Sequence, residues 1–149
     1  MASKLGVELK VTRLLLDVGL MCAWLGKRER SAEIIDAVRV FRDDVPHPGA
    51  VAASALIFQG RFHEAIDELE GALSRFADYQ LGKAMLALAY REVGHPAWRG
   101  LCRQVIDDGR DEWAINLAHE TLGAGAPAAL PTQRAACGFD ENAPISVYA

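Results

Sequence analysis

Three glycines, Gly26, Gly60 and Gly94, follow one another at an interval of 34 residues, and each closes one stretch of helical hydrophobic period and precedes another. Glycine is not the only column in that register. Seven residues before each glycine stands a small residue, Gly19, Ala53 and Ala87, of the size that lets two helices cross closely. Eight before it stand Val18, Ala52 and Leu86, four before it Cys22, Leu56 and Tyr90, and twelve after it Val38, Ala72 and Ile106. A chain that repeats a helix-turn-helix phrase in this way is confined to a stack in which each pair buries an apolar face against the next. The fold class expected is therefore all-α.

Local pattern supplies the elements. Leu9 to Leu25 brings Leu15, Val18 and Cys22, with Leu16 and Leu20, onto two adjoining stripes and stops at Gly26. Ser31 suits the N-cap of the next helix, which carries Ala32, Ile34, Ile35, Val38 and Phe41 until DDVPHPG breaks it. Residues 49–59 and 62–76 form the second pair, the latter with Phe62, Ala65, Ile66, Leu69, Ala72 and Leu73 on one face. Tyr79 to Val93 opens the third. Pro96 fits the first turn of its second helix, Trp98, Leu101, Cys102, Val105 and Ile106 form the stripe, and Gly109 ends it. Asp111 can cap a last helix through Leu122, with Trp113, Ala114, Leu117 and Ala118 turned inward. Trp24, Trp98 and Trp113 are expected in the core, since each sits at a stripe or helix-end position. The helical domain thus spans residues 9–122, in units of about 9–46, 47–78 and 79–109 plus a capping helix at 111–122. Residues 123–149, rich in Ala, Gly and Pro and without period, read as a flexible tail in which Ile145 to Tyr148 could dock.

Composition narrows the function classes. With 149 residues and 51% hydrophobic content, the chain can bury a core without metal or disulfide staples. Sixteen basic against twenty acidic residues leave a net charge of −4, which offers no cationic surface for a phosphate backbone, so nucleic acid is disfavoured. No apolar run is long enough to span a bilayer, and Glu8, Lys10, Arg13 and Asp17 interrupt the first segment, so no secretory signal is read. The expected location is the cytoplasm, with a periplasmic one only by a non-classical route. Cys22, Cys102 and Cys137 are odd in number and far apart, which fits a reducing compartment rather than a disulfide framework. His47, His63, His95 and His119 are dispersed, with no HExxH and no cysteine at ligand spacing. Glu64, Asp67, Glu68 and Glu70 fall on the polar side of their helix, and no nucleophile or phosphate-loop motif occurs. The expectation is a protein that is not an enzyme and takes no metal or cofactor.

A unit of this period resembles the tetratricopeptide repeat, and the middle unit carries the match, with Gly60, Phe62, Ala65, Leu69 and Ala72 at the family's glycine, aromatic, alanine, large apolar and alanine positions. The first unit departs from it in Arg28, where an aromatic is usual, and in one extra residue assigned to its second helix; the third departs in Pro96 and Arg99. The resemblance implies a right-handed superhelix of three antiparallel pairs with a C-terminal capping helix. It also implies that the second, fifth, ninth and twelfth positions of each first helix line an inner groove. Here those are Arg13, Leu16, Leu20 and Ala23, then His47, Ala50, Ser54 and Ile57, then Leu81, Ala84, Leu88 and Arg91. Such a groove is apolar apart from Arg13, His47 and Arg91, and suits an amphipathic helix. The Lys and Asn that grip a terminal carboxylate in some repeat proteins are missing from it.

The order IIDAVRVFRDDVP, FQGRFHEAIDELEGAL, KAMLALAYREVGHPAWRGLCRQVI is similar in layout to the Hrp-associated repeat proteins of bacterial type III secretion. A small-residue helix is followed by a GxxxEA turn, here Gly60, Glu64 and Ala65, and a GxPxW turn, here Gly94, Pro96 and Trp98. This resemblance implies a chaperone or accessory factor whose groove shields the amphipathic helix of a secreted or needle subunit until export. The alternatives are a self-associating structural component of the apparatus, including one that lies on the cell wall, and a generic adaptor.

Overall fold

The computed structural model describes residues 9–123, and over them the stripes become seven helices: α1 Leu9–Trp24, α2 Arg28–Phe41, α3 His47–Phe58, α4 Phe62–Arg75, α5 Gln80–Glu92, α6 Trp98–Asp108 and α7 Glu112–Gly123. The protein is all-α as expected, with no strand among the described residues. The tail from residue 124 onward, including Cys137 and Ile145 to Tyr148, lies outside them.

The three glycines of the 34-residue register do the same work three times. Gly26, Gly60 and Gly94 hold φ of 73°, 71° and 73°, a left-handed conformation that a side chain would strain. At each, the glycine N–H donates to a carbonyl three residues back (Ala23, Ile57, Arg91) and the next N–H to one five residues back (Cys22, Leu56, Tyr90), at 2.8–3.0 Å. This Schellman pairing satisfies the last carbonyls of the helix and reverses the chain. In the third turn the two flanking side chains also meet, Tyr90 stacking on His95 at 4.2 Å between ring centroids.

Three local expectations are corrected here. Ser31 is not an N-cap: α2 starts at Arg28 straight out of the glycine turn, so Ser31 lies inside the helix, 2% exposed, with no hydrogen-bond partner for its hydroxyl. It occupies the column that holds Ala65 one unit later, where packing asks for a small side chain. Pro96 precedes the N-cap Ala97 rather than entering the first turn of α6, which shortens that helix to 11 residues against 14 for α2 and α4. The equal lengths of α2 and α4 also put the extra residue of the first unit in the connection, residues 42–46 against 76–79, and not in the helix.

The helices pack as three successive hairpins and a closing helix. α1, α3, α5 and α7 touch in sequence and form one continuous layer, and each of α2, α4 and α6 touches the odd helix on either side. Long side chains reach between α2 and α4: Arg39 of α2 pairs with Glu68 of α4, and Arg75 of α4 donates to the carbonyl of Asp43, just past α2, at 2.8 Å. Close crossing depends on the small-residue column. Ala53 and Ala87 are fully buried, and a Cβ built on Gly19 would stand 3.2 Å from Ile35. One cluster joins Ala50, Ala53, Ile57, Ala65, Leu69, Met85 and Leu86 across α3, α4 and α5. A second joins Ala84, Ala87, Cys102, Val105, Ala114 and Ala118 across α5, α6 and α7. Leu69, the largest fully buried side chain, contributes about 1.5–3 kcal/mol by burial alone.

Candidate protein-binding surface

The twelve groove positions separate into three groups. Leu16, Ala23, Ala50, Ile57 and Ala84 are buried and fill helix contacts, so they present no open wall. Leu20, Ser54, Leu81, Leu88 and Arg91 are half-buried, and Arg13 and His47 are exposed. Ala50 and Ile57 belong to the first core cluster and Leu81 and Leu88 pack against it, while Ala84 belongs to the second. Sequence spacing placed these side chains on one strip; the stack uses much of that strip to join neighbouring units.

Arg91, read as a polar exception in the groove, is a tie between helices. Its Nη1 donates to the Thr121 carbonyl of α7 at 3.1 Å, and its Nη2 pairs with Glu92 at 2.6 Å, both side chains being nearly buried. His47 lies 6.0 Å from the Tyr79 ring, and burial, with the charge of Asp111 behind it, pushes the Tyr79 phenol up to about 12. The Tyr90 phenol is pushed up to about 12 by its donation to Glu70 at 2.5 Å. Both phenols stay protonated at physiological pH. Burial raises the Cys102 thiol, which makes it a poor nucleophile. Among the described residues, no group of three or more His, Cys, Asp and Glu is placed to hold a metal ion, and no helix is long and apolar enough to cross a membrane.

Accessible apolar surface lies in two other places. At the C-terminal end, Leu81 of α5 with Trp113 and Leu117 of α7 line an open depression of about 600 Å³, rimmed by Asn116, His119 and Glu120. Trp113 is 80% exposed there, which corrects its expected place in the core. Asp111 fixes it locally, because its Oδ1 accepts the N–H groups of Trp113 and Ala114 at 3.0 and 3.2 Å, starting α7 so that Ala114, Ala118 and Thr121 face inward and Trp113 outward. At the N-terminal end, α1 exposes Val11, Leu14, Val18, Met21 and Leu25, and Trp24, also expected inside, is 54% exposed against Phe58 with ring centroids 5.3 Å apart. Trp98 is half-buried beneath the Arg99 guanidinium, 4.8 Å from the ring centroid. Both faces could have been found from the sequence. Outside its Lys10, Arg13, Asp17 strip α1 is apolar over more than one packed face needs, and Trp113 sits beside, not on, the Ala114, Ala118 stripe.

Neither a curated protein nor a solved structure matches the chain. A family model does: that of the bacterial type III secretion protein HrpB1_HrpK matches residues 4–124, which takes in every helix described above. A match over that share of the sequence places the chain in the bacterial type III secretion protein family HrpB1_HrpK.

Proposed function

We propose that this member of the type III secretion family is a tetratricopeptide-like protein-binding factor that receives an amphipathic helix of a secreted or needle subunit before export. The observation that supports this reading is Trp113, 80% exposed beside Leu81 and Leu117 on a helix whose other outward side chains are polar. A large aromatic anchor within a shallow apolar depression and a polar rim is the usual composition of a binding hot spot. Its surroundings fit a helical ligand: Leu81 and Leu117 offer the apolar floor, and Asn116, His119 and Glu120 the polar edge. Arg13 and His47, the exposed members of the groove expectation, belong to the same odd-helix layer.

The test is a binding titration of the full chain with helical peptides from the needle and translocated subunits encoded with it, followed by Trp113→Ala. Loss of a hot-spot tryptophan should weaken binding by at least about 30-fold, the equivalent of about 2 kcal/mol. The circular dichroism spectrum should stay unchanged, since the ring is exposed. Binding that survives Trp113→Ala undiminished, or no binding by the wild type to any such peptide, would remove this reading.

A further inference from the structure

We propose that the junction between α2 and α4 is a hinge held shut by charge, about which the α1–α2 hairpin turns against a body formed by α3 to α7. The repeat allows the two junctions between even helices to be compared position by position. In neither do the helix backbones approach closely, so side chains must fill the gap. Between α4 and α6 they do: Ile66 and Leu73 of α4 and Leu101 of α6 pack against the cluster of α3, α4 and α5. Moving these back by 34 residues gives Ala32 and Arg39 of α2 and Asp67 of α4. Where the second junction sets three large apolar side chains, the first sets one methyl and two charges, and Ala32 and Asp67 stand exposed.

What is left is a cleft instead of a seam. Hollows of about 250 and 220 Å³ lie along α2 and α4, and Arg39 and Glu68 border both, so their ion pair crosses the gap where the hollows adjoin. Ser31 lies in the second hollow with its buried hydroxyl unpartnered, at the position where Ala65 is fully buried one unit later. An unsatisfied buried hydroxyl disfavours the shut state and gains water on opening. The ion pair works against it. Arg39 pairs with Glu68 and holds Asp36 at 3.4 Å, and with 36% and 28% of the Arg39 and Glu68 side chains exposed, salt can reach and screen the pair. Each side of the hinge is itself well joined. Within the hairpin a Cβ on Gly19 would stand 3.2 Å from Ile35, and two clusters tie α3 to α7 together. The link, residues 42–46, is one residue longer than 76–79, and turning about it changes the curvature of the odd-helix layer where α1 touches α3.

This inference does not rest on the Trp113 reading. Ala37→Cys, Ser74→Cys and Gln104→Cys, taken in pairs at these exposed positions, place spin labels on α2, α4 and α6 of the full chain, with Cys22→Ser and Cys137→Ser and with the buried Cys102 left as it is. Labelled chains are diluted into unlabelled ones, and distances are read by pulsed electron paramagnetic resonance at low salt and at about 1 M salt, where charges are screened beyond about 3 Å. The α2–α4 distance should be single at low salt and gain a longer component at high salt, while the α4–α6 distance stays the same. Glu68→Gln should show the longer component already at low salt. Ala32→Ile, Arg39→Leu and Asp67→Leu together, which copy the second junction, should remove it at every salt concentration. An α2–α4 distance as fixed as α4–α6 at high salt and in Glu68→Gln overturns the proposal. Equal broadening of both distances overturns it too, because the stack would then flex throughout. Should a substituted junction fail to fold, the salt series on the unsubstituted one decides the comparison alone.

Discussion

The two ends of the stack are built on opposite rules. At the C-terminal end α7 closes the described stack: it places Ala114, Ala118 and Thr121 on its buried side, with Ala114 and Ala118 in the cluster of α5 and α6, and apart from Trp113 shows mainly polar side chains outside. At the N-terminal end, among the described residues, α1 shows Leu14, Val18 and Met21, whose counterparts in later units are Pro48, Ala52, Ala55, Gly82, Leu86 and Ala89. Repeat stacks need a polar outer surface at both ends to remain apart in water. The difference therefore separates an end that terminates the fold from one that is available for a partner.

The largest effect that could break this comparison is a charge on each end. Ala118 is fully buried on the inner side of α7, so Ala118→Glu should cost roughly 3–5 kcal/mol in urea unfolding, because it forces a carboxylate into the apolar cluster of α5, α6 and α7. Met21→Glu at the other end should change stability by only about 0.5 kcal/mol. Equal costs for the two would mean that α1 is as fully covered in solution as α7 is underneath. Between the ends, Ala53→Leu should cost about 1–3 kcal/mol, since Ala53 is fully buried at the crossing of α3 with its neighbours and a larger side chain must displace them. A neutral Ala53→Leu would show that the small-residue column is not a packing requirement.

The period was legible because it is written in backbone needs as well as side chains: a glycine that must be left-handed, a small residue at a crossing, an apolar residue twelve positions on. What a single chain does not write is which neighbours exist. Trp24 and Trp113 have the sequence look of core residues, yet each belongs to the first or last described helix and lies on a side that no other described helix covers. Spacing likewise put Leu16 and Ala23 in an open groove, while the buried side of α1 takes them and Leu14, Val18 and Met21 face out. Lys10, Arg13 and Asp17 fall on one strip of α1, but apolar side chains flank it on both sides, so the strip alone does not say which flank is buried. Ser31 misled for a related reason, since a serine after a turn reads as a cap until the turn is seen to supply its own hydrogen bonds.

Capping sharpens the contrast on a smaller scale. Lys27, Pro46, Arg61, Tyr79 and Ala97 precede α2 to α6 without a side-chain cap, whereas Asp111 caps α7 with two hydrogen bonds. A helix packed on one side only gains little from neighbours and depends more on its own terminus. Asp111→Ala should accordingly cost about 1 kcal/mol and raise amide exchange first in α7. Uniform exchange loss across all helices would instead mean that α7 is no separate closing element.

The smallest expected effect is acid sensitivity, and it too should differ between the ends. Asp108, at the last residue of α6, accepts from Arg110 at 2.7 Å through both oxygens and from Gln80 of α5 at 2.5 Å. The Arg110 guanidinium foremost, with Lys83 and Gln80, holds its carboxyl below the ordinary value of 3.8. A depressed carboxyl contributes stability that is fully present above its unfolded value and is lost as pH falls through the folded one. The α5–α6 junction should therefore loosen only in acid, from about pH 4 downward, and Asp108→Asn should flatten that part of the stability profile. At the other end the exposed stripe of Val11, Leu14, Val18, Met21 and Leu25 is apolar, with Lys10, Arg13 and Asp17 exposed beside it, so amide exchange that rises first in α1 on acidification, before the α5–α6 junction, would break this assignment.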